Sequence, residues 1–166
     1  MEKELQLVGF RIGRETFGLP IASVREIVRV PEITSVPNAP DYIEGVINLR
    51  GRIIPVVDLR KRFGDKSGES NKKNRIVVVE LENRAIGLLV HSASEVLRIP
   101  PSEIEAPQNV FQEGELSYIT GVGKLNGRLV ILLDLSRILE RGELRRLEDF
   151  AESAAPVPVG AGSQKK

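Results

Sequence analysis

Asp58 and Asp134 are the first residues in this sequence that suggest chemistry, because two carboxylates can divide acid and base work between them. Each, however, opens a short helical pattern, over 58–63 and 134–141. There a carboxylate accepts the unpaired N–H groups of the first turn, so an N-cap is the favoured reading. His91 is the only histidine. It follows a strand-like apolar run, and a metal would need three more ligands that no nearby spacing supplies. A phosphoacceptor histidine belongs on an exposed helix, which Leu89-Val90-His91-Ser92-Ala93 does not resemble. The glycines at 45, 51, 121, 123 and 127 could suggest a phosphate cradle, but Gly121-Val122-Gly123 lacks the following helix and the rest of that fingerprint. They read instead as hairpin and close-packing positions. No nucleophile, base or metal constellation can be assembled from these residues, so catalytic residues, metal ligands and cofactors are all expected to be none.

The composition narrows the partners. Against 24 lysines and arginines stand 23 acidic residues, a formal charge of +1, which gives no overall field to gather nucleic acid or anionic lipid. The absence of cysteine excludes disulfides and thiolate chemistry and fits a reducing compartment. The start, Met1-Glu2-Lys3-Glu4, lacks signal-peptide character, and no apolar run approaches the roughly 20 residues of a membrane span, so a cytoplasmic protein without membrane insertion is expected. At 41% apolar content, 166 residues suffice for one compact domain or two small barrels sharing a core.

The elements that must position any site are short. Apolar, β-branched runs at 5–12, 17–21, 27–33, 45–49, 52–57, 76–81, 86–90 and 129–133 read as strands, separated by turn signals at Gly13-Arg14, Arg50-Gly51, Glu82-Asn83 and Asn126-Gly127. Helical pattern is confined to 58–63, 134–141 and a C-terminal helix at 143–154, where Leu144, Leu147 and Phe150 form one stripe. The charges of 140–148 read as a solvated face. Polar residues 64–74 read as a connection, and 155–166 as a disordered tail.

An internal repeat carries most of the information. Residues 42–63 laid without gaps on 118–139 agree at nine of 22 positions, each copy reading strand, turn, strand, short helix. A second register sets Phe17-Gly-Leu-Pro-Ile21 and the following residues to Pro31 on Ile86-Gly-Leu-Leu-Val90 and the following residues to Pro100. Each unit supplies about five short strands, enough for a small closed barrel. The first barrel is expected at about 15–83, and the second at about 84–140 plus the N-terminal strand. Arg50 breaks the symmetry: its counterpart is Asn126, ordinary in an Asn-Gly turn, whereas Arg50 holds a charged fork at a hairpin tip.

The segment Gly45-Val-Ile-Asn-Leu-Arg-Gly-Arg-Ile-Ile-Pro-Val-Val-Asp-Leu59 resembles the GVxNLRGxxxPVxDL segment of the CheW family. The likeness continues through Phe17-Gly-Leu-Pro-Ile21, Glu26-Ile-Val28, Val36-Pro37 and Tyr118-Ile-Thr-Gly121, covering roughly 5–139, with 1–142 as the CheW-like domain. The resemblance implies a mainly β fold of two intertwined SH3-like five-stranded β-barrels with short helices and a C-terminal helix. It implies a non-catalytic chemotaxis adaptor that couples the cytoplasmic tip of a methyl-accepting chemoreceptor to the regulatory domain of the histidine kinase CheA, recruited from the cytoplasm to membrane-associated arrays. The chain has no room for the kinase domain of CheA or the receiver domain of CheV. Receptor- or kinase-binding residues implied by the likeness are Val24, Glu26, Gly45, Asn48, Arg50 and Gly51; Val24 and Glu26 have Ala93 and Glu95 as repeat counterparts. Val110 and Phe111, in an inserted loop at 107–115, are candidates for a kinase-interface loop or for a tucked core aromatic. The alternative from another class is a small-barrel nucleic-acid-binding protein, disfavoured by the +1 charge and 4% aromatic content.

Overall fold

The computed structural model describes residues 4–39, 41–63, 72–106 and 118–138. Eleven strands run in chain order as β1 (Leu5–Ile12), β2 (Glu15–Pro20), β3 (Val24–Arg29), β4 (Ile43–Leu49), β5 (Arg52–Asp58), β6 (Arg75–Leu81), β7 (Arg84–Val90), β8 (Ser92–Ile99), β9 (Ile104–Glu105), β10 (Ile119–Leu125) and β11 (Arg128–Leu133). Two four-residue helices, α1 (Leu59–Arg62) and α2 (Leu135–Ile138), follow β5 and β11. Three hairpins turn on two residues with positive φ, Arg50-Gly51, Glu82-Asn83 and Asn126-Gly127. That pair of left-handed residues matches the twist of the flanking strands.

The strands form two sheets, in the orders β3-β6-β7-β5-β4 and β8-β1-β2-β11-β10-β9. With the β1–β2 hairpin set on β6–β7, β3 on β8, and β4–β5 on β10–β11, the two orders become the same. Each sheet is closed by the chain leaving its edge strand. After β3, Thr34 exchanges two backbone hydrogen bonds of 2.9 Å with Val46 of β4. After β8, Ile104 and Glu105 pair with Gly123 and Val122 of β10, so the second sheet has six strands where five were expected.

The expected division of the barrels is corrected at two strands. β2 lies in the second sheet, between β1 and β11, and β7 lies in the first, between β6 and β5. The repeat unit is therefore not the barrel. Each unit gives its hairpin to one sheet and its remaining strands to the other, crossing at the single 3-10 turn Ile21–Ser23 in the first unit and at His91 in the second. Apolar alternation explains the swap. In β6, Ile76 and Val78 fill the first barrel, while Val77, Val79 and Leu81 face the layer between barrels. In β1, Leu7 fills the second barrel, while Phe10 and Ile12 enter the same shared layer. A hairpin apolar on both faces must be covered on both, and only a position between barrels does that.

Other expectations differ in detail. The run at 27–33 forms a strand only to Arg29, because Pro31 has no N–H for a ladder and disposes its neighbour away from regular pairing. Strand β8 was not among the expected runs, since Ser92, Ser94 and Glu95 dilute its apolar pattern. The expected helix at 134–141 is observed as α2, its remainder lying outside the described residues along with the C-terminal helix at 143–154 and the tail.

Gly45 sits at a register shift between β4 and β5 with φ +152°, and an added Cβ would meet the Thr34 carbonyl oxygen at 2.3 Å. Gly51 has φ +86° and open space around it. Gly45→Ala is expected to lower unfolding free energy by about 3 kcal/mol, from strain plus damage to the Thr34–Val46 closure, and Gly51→Ala by only about 1 kcal/mol. Urea unfolding of the two variants checks this; equal losses would contradict the closing role given to Gly45.

Candidate functional site

The broken repeat symmetry at Arg50 becomes a definite surface in the fold. Arg50 occupies the first position of the β4–β5 turn with φ +52°, a conformation uncommon for a residue with a Cβ. The turn is held by Asn48, whose Oδ1 accepts a hydrogen bond of 2.9 Å from the Gly51 N–H. From there the Arg50 guanidinium reaches across the barrel seam and pairs with the Glu26 carboxylate of β3. Arg50 remains 69% exposed and Glu26 30%. So open an ion pair adds about 0–1 kcal/mol to stability, and a partner can take over its hydrogen bonds at little cost to the fold.

A bulge brings Glu26 into reach. The β3–β6 register shifts between Val24 and Glu26. As a result Val24 and Ile27 both pack towards the layer between barrels, whereas Val28 packs inside the first barrel. Strand alternation then sets Glu26 on the face of Val28, at the rim beside the β4–β5 turn. The structure thus brings Glu26, Asn48, Arg50 and Gly51 together. Val24 is half-buried against the core, and Gly45 acts at the closure through its lack of a side chain. Val110 and Phe111 lie outside the described residues.

Asp58 and Asp134 are both caps, yet their surroundings diverge. Their N–H groups donate to the equivalent carbonyls of Tyr42 at 3.0 Å and Tyr118 at 2.8 Å. Asp58 accepts from the N–H groups of Arg60 and Lys61, and its two oxygens take the Arg60 Nε at 3.0 Å and Nη2 at 2.9 Å. Both side chains of this pair are buried, at 0% and 6% exposure. Asp134 accepts from the Ser136 N–H at 3.0 Å and hydroxyl at 2.6 Å, on the surface. The Asp58–Arg60 pair was not legible in the sequence; Arg60 standing where the second unit has Ser136 was the available signal. Beside it, Arg62 donates from Nη2 to the Ile138 carbonyl at 3.0 Å and lies 5.8 Å over the Tyr42 ring, tying α1 to the end of α2.

His91 has a structural place: its Nδ1 accepts a hydrogen bond of 2.8 Å from the Gly13 N–H, at the turn between β1 and β2. Gly121 and Gly123 are close-packing positions, where an added Cβ would meet Ile104 at 3.0 Å and Ile99 at 2.8 Å. Among the described residues no group of three or more histidine, aspartate or glutamate side chains could hold a metal ion, and no helix is long and apolar enough to cross a membrane.

A protein-family model described as a CheW-like domain matches residues 6–143. The chain is 38% identical over 141 residues to "Chemotaxis protein CheW" of Helicobacter pylori, covering 84% of each chain. It is 35% identical over 138 residues to the protein of the same name from Rhizobium meliloti, covering 83% of this chain and 89% of that one. Among solved structures, the scaffolding protein TtCheW from Thermoanaerobacter tengcongensis superposes with a TM-score of 0.74 at 37% identity, covering 84% of this chain and 94% of the other.

The two caps differ enough for a direct comparison. Asp58→Ala leaves the buried Arg60 guanidinium without its carboxylate and is expected to cost about 3–5 kcal/mol. Asp134→Ala removes an exposed cap and is expected to cost about 1 kcal/mol. Thermal and urea unfolding of the two variants measures the difference; comparable losses would mean that burial of the first pair does not set its cost.

Proposed function

The chain belongs to the CheW family, and from that premise we propose that it is a non-catalytic chemotaxis adaptor joining the cytoplasmic tip of a chemoreceptor to the regulatory domain of the histidine kinase CheA. The observation that carries the reading is the extent of the match. Residues 6–143 span both sheets, so the complete two-barrel unit is what this chain shares with its relatives. Two barrels fused through one apolar layer offer separate outer surfaces on a rigid spacer. An adaptor of this kind transmits geometry: each partner biases an assembly through contacts it makes better in one state than another.

The surface we assign to a partner is the rim bearing Glu26, Asn48, Arg50 and Gly51. Arg50 supplies a planar fork suited to carboxylates and carbonyls, Glu26 supplies an acceptor, and Asn48 and Gly51 fix the turn that presents them. Val24 and Gly45 shape the strands beneath. Val110 and Phe111 are retained as a kinase-interface loop on the family likeness alone. Recruitment from the cytoplasm to a receptor array follows from the same reading. A nucleic-acid role has no support here, because Phe10, Phe17, Phe63 and Tyr118 stack on one another at 5.1–5.9 Å instead of lining an open face for bases.

Calorimetry with the isolated CheA regulatory domain tests the proposal. Wild-type protein is expected to bind at micromolar affinity or tighter, and Arg50→Ala and Glu26→Ala to bind about tenfold more weakly with unchanged circular dichroism. Undiminished binding by both folded variants would remove this rim from the kinase surface. No binding by folded wild type would sink the kinase pairing itself.

A further inference from the structure

At the other end of β3 from the Glu26 rim lies a cleft of about 460 Å³, lined by Arg29, Val30, Lys72, Asn74 and Arg75. Arg29 and Arg75 are direct cross-strand partners in the β3–β6 ladder. Like charges so placed repel. The pair's repeat counterpart is different: the matching pair in the second barrel is Arg98 opposite Gln6. The doubled arginine is therefore peculiar to the first barrel.

Among the described residues, the charge lining the cleft is all positive. Elsewhere on the described surface, five cations meet carboxylates: Arg25 with Glu80, Arg50 with Glu26, Lys61 with Glu44, Lys124 with Glu105 and Arg137 with Asp134. Among the described residues, Arg29, Lys72 and Arg75 have no carboxylate partner, and none lines the cleft. Arg75 is moreover fixed in place, donating from Nη1 to the carbonyl oxygens of Lys72 at 2.7 Å and Asn74 at 2.8 Å. Among the described residues, its Nε and Nη2 make no hydrogen bond.

We propose that this cleft docks an acidic, carboxylate-rich segment of a partner protein, at a surface separate from the Glu26–Arg50 rim. Three cations with one guanidinium held rigid suit carboxylates, and β3, an edge strand of its sheet, offers backbone groups to an extended peptide. A nucleic acid is the poorer fit: among the described residues the lining has no aromatic side chain on which a base could stack.

The test is a titration of the ¹⁵N-labelled full chain with a poly-glutamate peptide, followed by amide shifts, at low and high salt. The expected result is shifts centred on Arg29, Val30, Asn74 and Arg75, weakened by salt and about tenfold weaker in the double variant Arg29→Gln, Lys72→Gln. A charge-matched control at exposed positions of the second barrel, Arg11→Gln with Arg14→Gln, is expected to bind like wild type. Shifts spread over all basic surfaces, equal weakening in the control, or tighter binding of oligothymidylate at the same amides would each overturn the proposal.

Discussion

The apolar layer shared by the two sheets is the constraint on which the rest of the molecule depends. It takes Phe10, Ile12, Phe17 and Leu19 from one hairpin, and Val77, Val79, Leu81, Ile86, Leu88 and Val90 from the other, and it is capped by Leu59, Leu135 and Ile138 from the two short helices. Each such side chain contributes about 1.5–3 kcal/mol by leaving water. A single barrel of this size would present one face of its hairpin to solvent, an apolar patch too large to leave open. Covering that face with the other barrel makes the two inseparable, and the aromatic column Phe10, Phe17, Phe63 and Tyr118 runs through the junction.

On that symmetric scaffold, the informative positions are those where the repeat fails. Arg50 replaces the Asn126 of the sister turn and turns a tight hairpin into a charged fork held by Glu26. Arg60 replaces Ser136 and turns a surface cap into a buried ion pair. Arg75 replaces Gln6 and turns a cross-strand pair with a single arginine into a repulsive pair of two. In each case the strand framework is the same and only the first barrel carries the added arginine. The first barrel thus bears the specialised polar surfaces, while a common core holds both barrels in register.

Much of the fold was legible locally. Leu5–Ile12 is a strand with the boundaries its apolar run suggests, the three positive-φ turns fall at Arg50-Gly51, Glu82-Asn83 and Asn126-Gly127, and Asp58 and Asp134 cap helices. The likeness to a chemotaxis adaptor family also stood in the residues 45–59. Less legible was the site: Arg50 was singled out from its turn, but nothing along the chain said that its partner would be Glu26, because that contact depends on a β-bulge and on the closing of a barrel seam.

The sequence by itself determined the elements, the repeat and the family, because strand periodicity, turn conformations and caps are set by residues within a few positions of one another. Tertiary structure alone decided which hairpin belongs to which barrel. Units that resemble one another so closely could each have closed on themselves. They exchange hairpins because the β1–β2 and β6–β7 hairpins carry apolar side chains on both faces, Leu7 against Phe10 and Phe17 in one and Ile76 and Leu89 against Val77 and Leu88 in the other. That choice is made by burial summed over the whole chain, which no local pattern records.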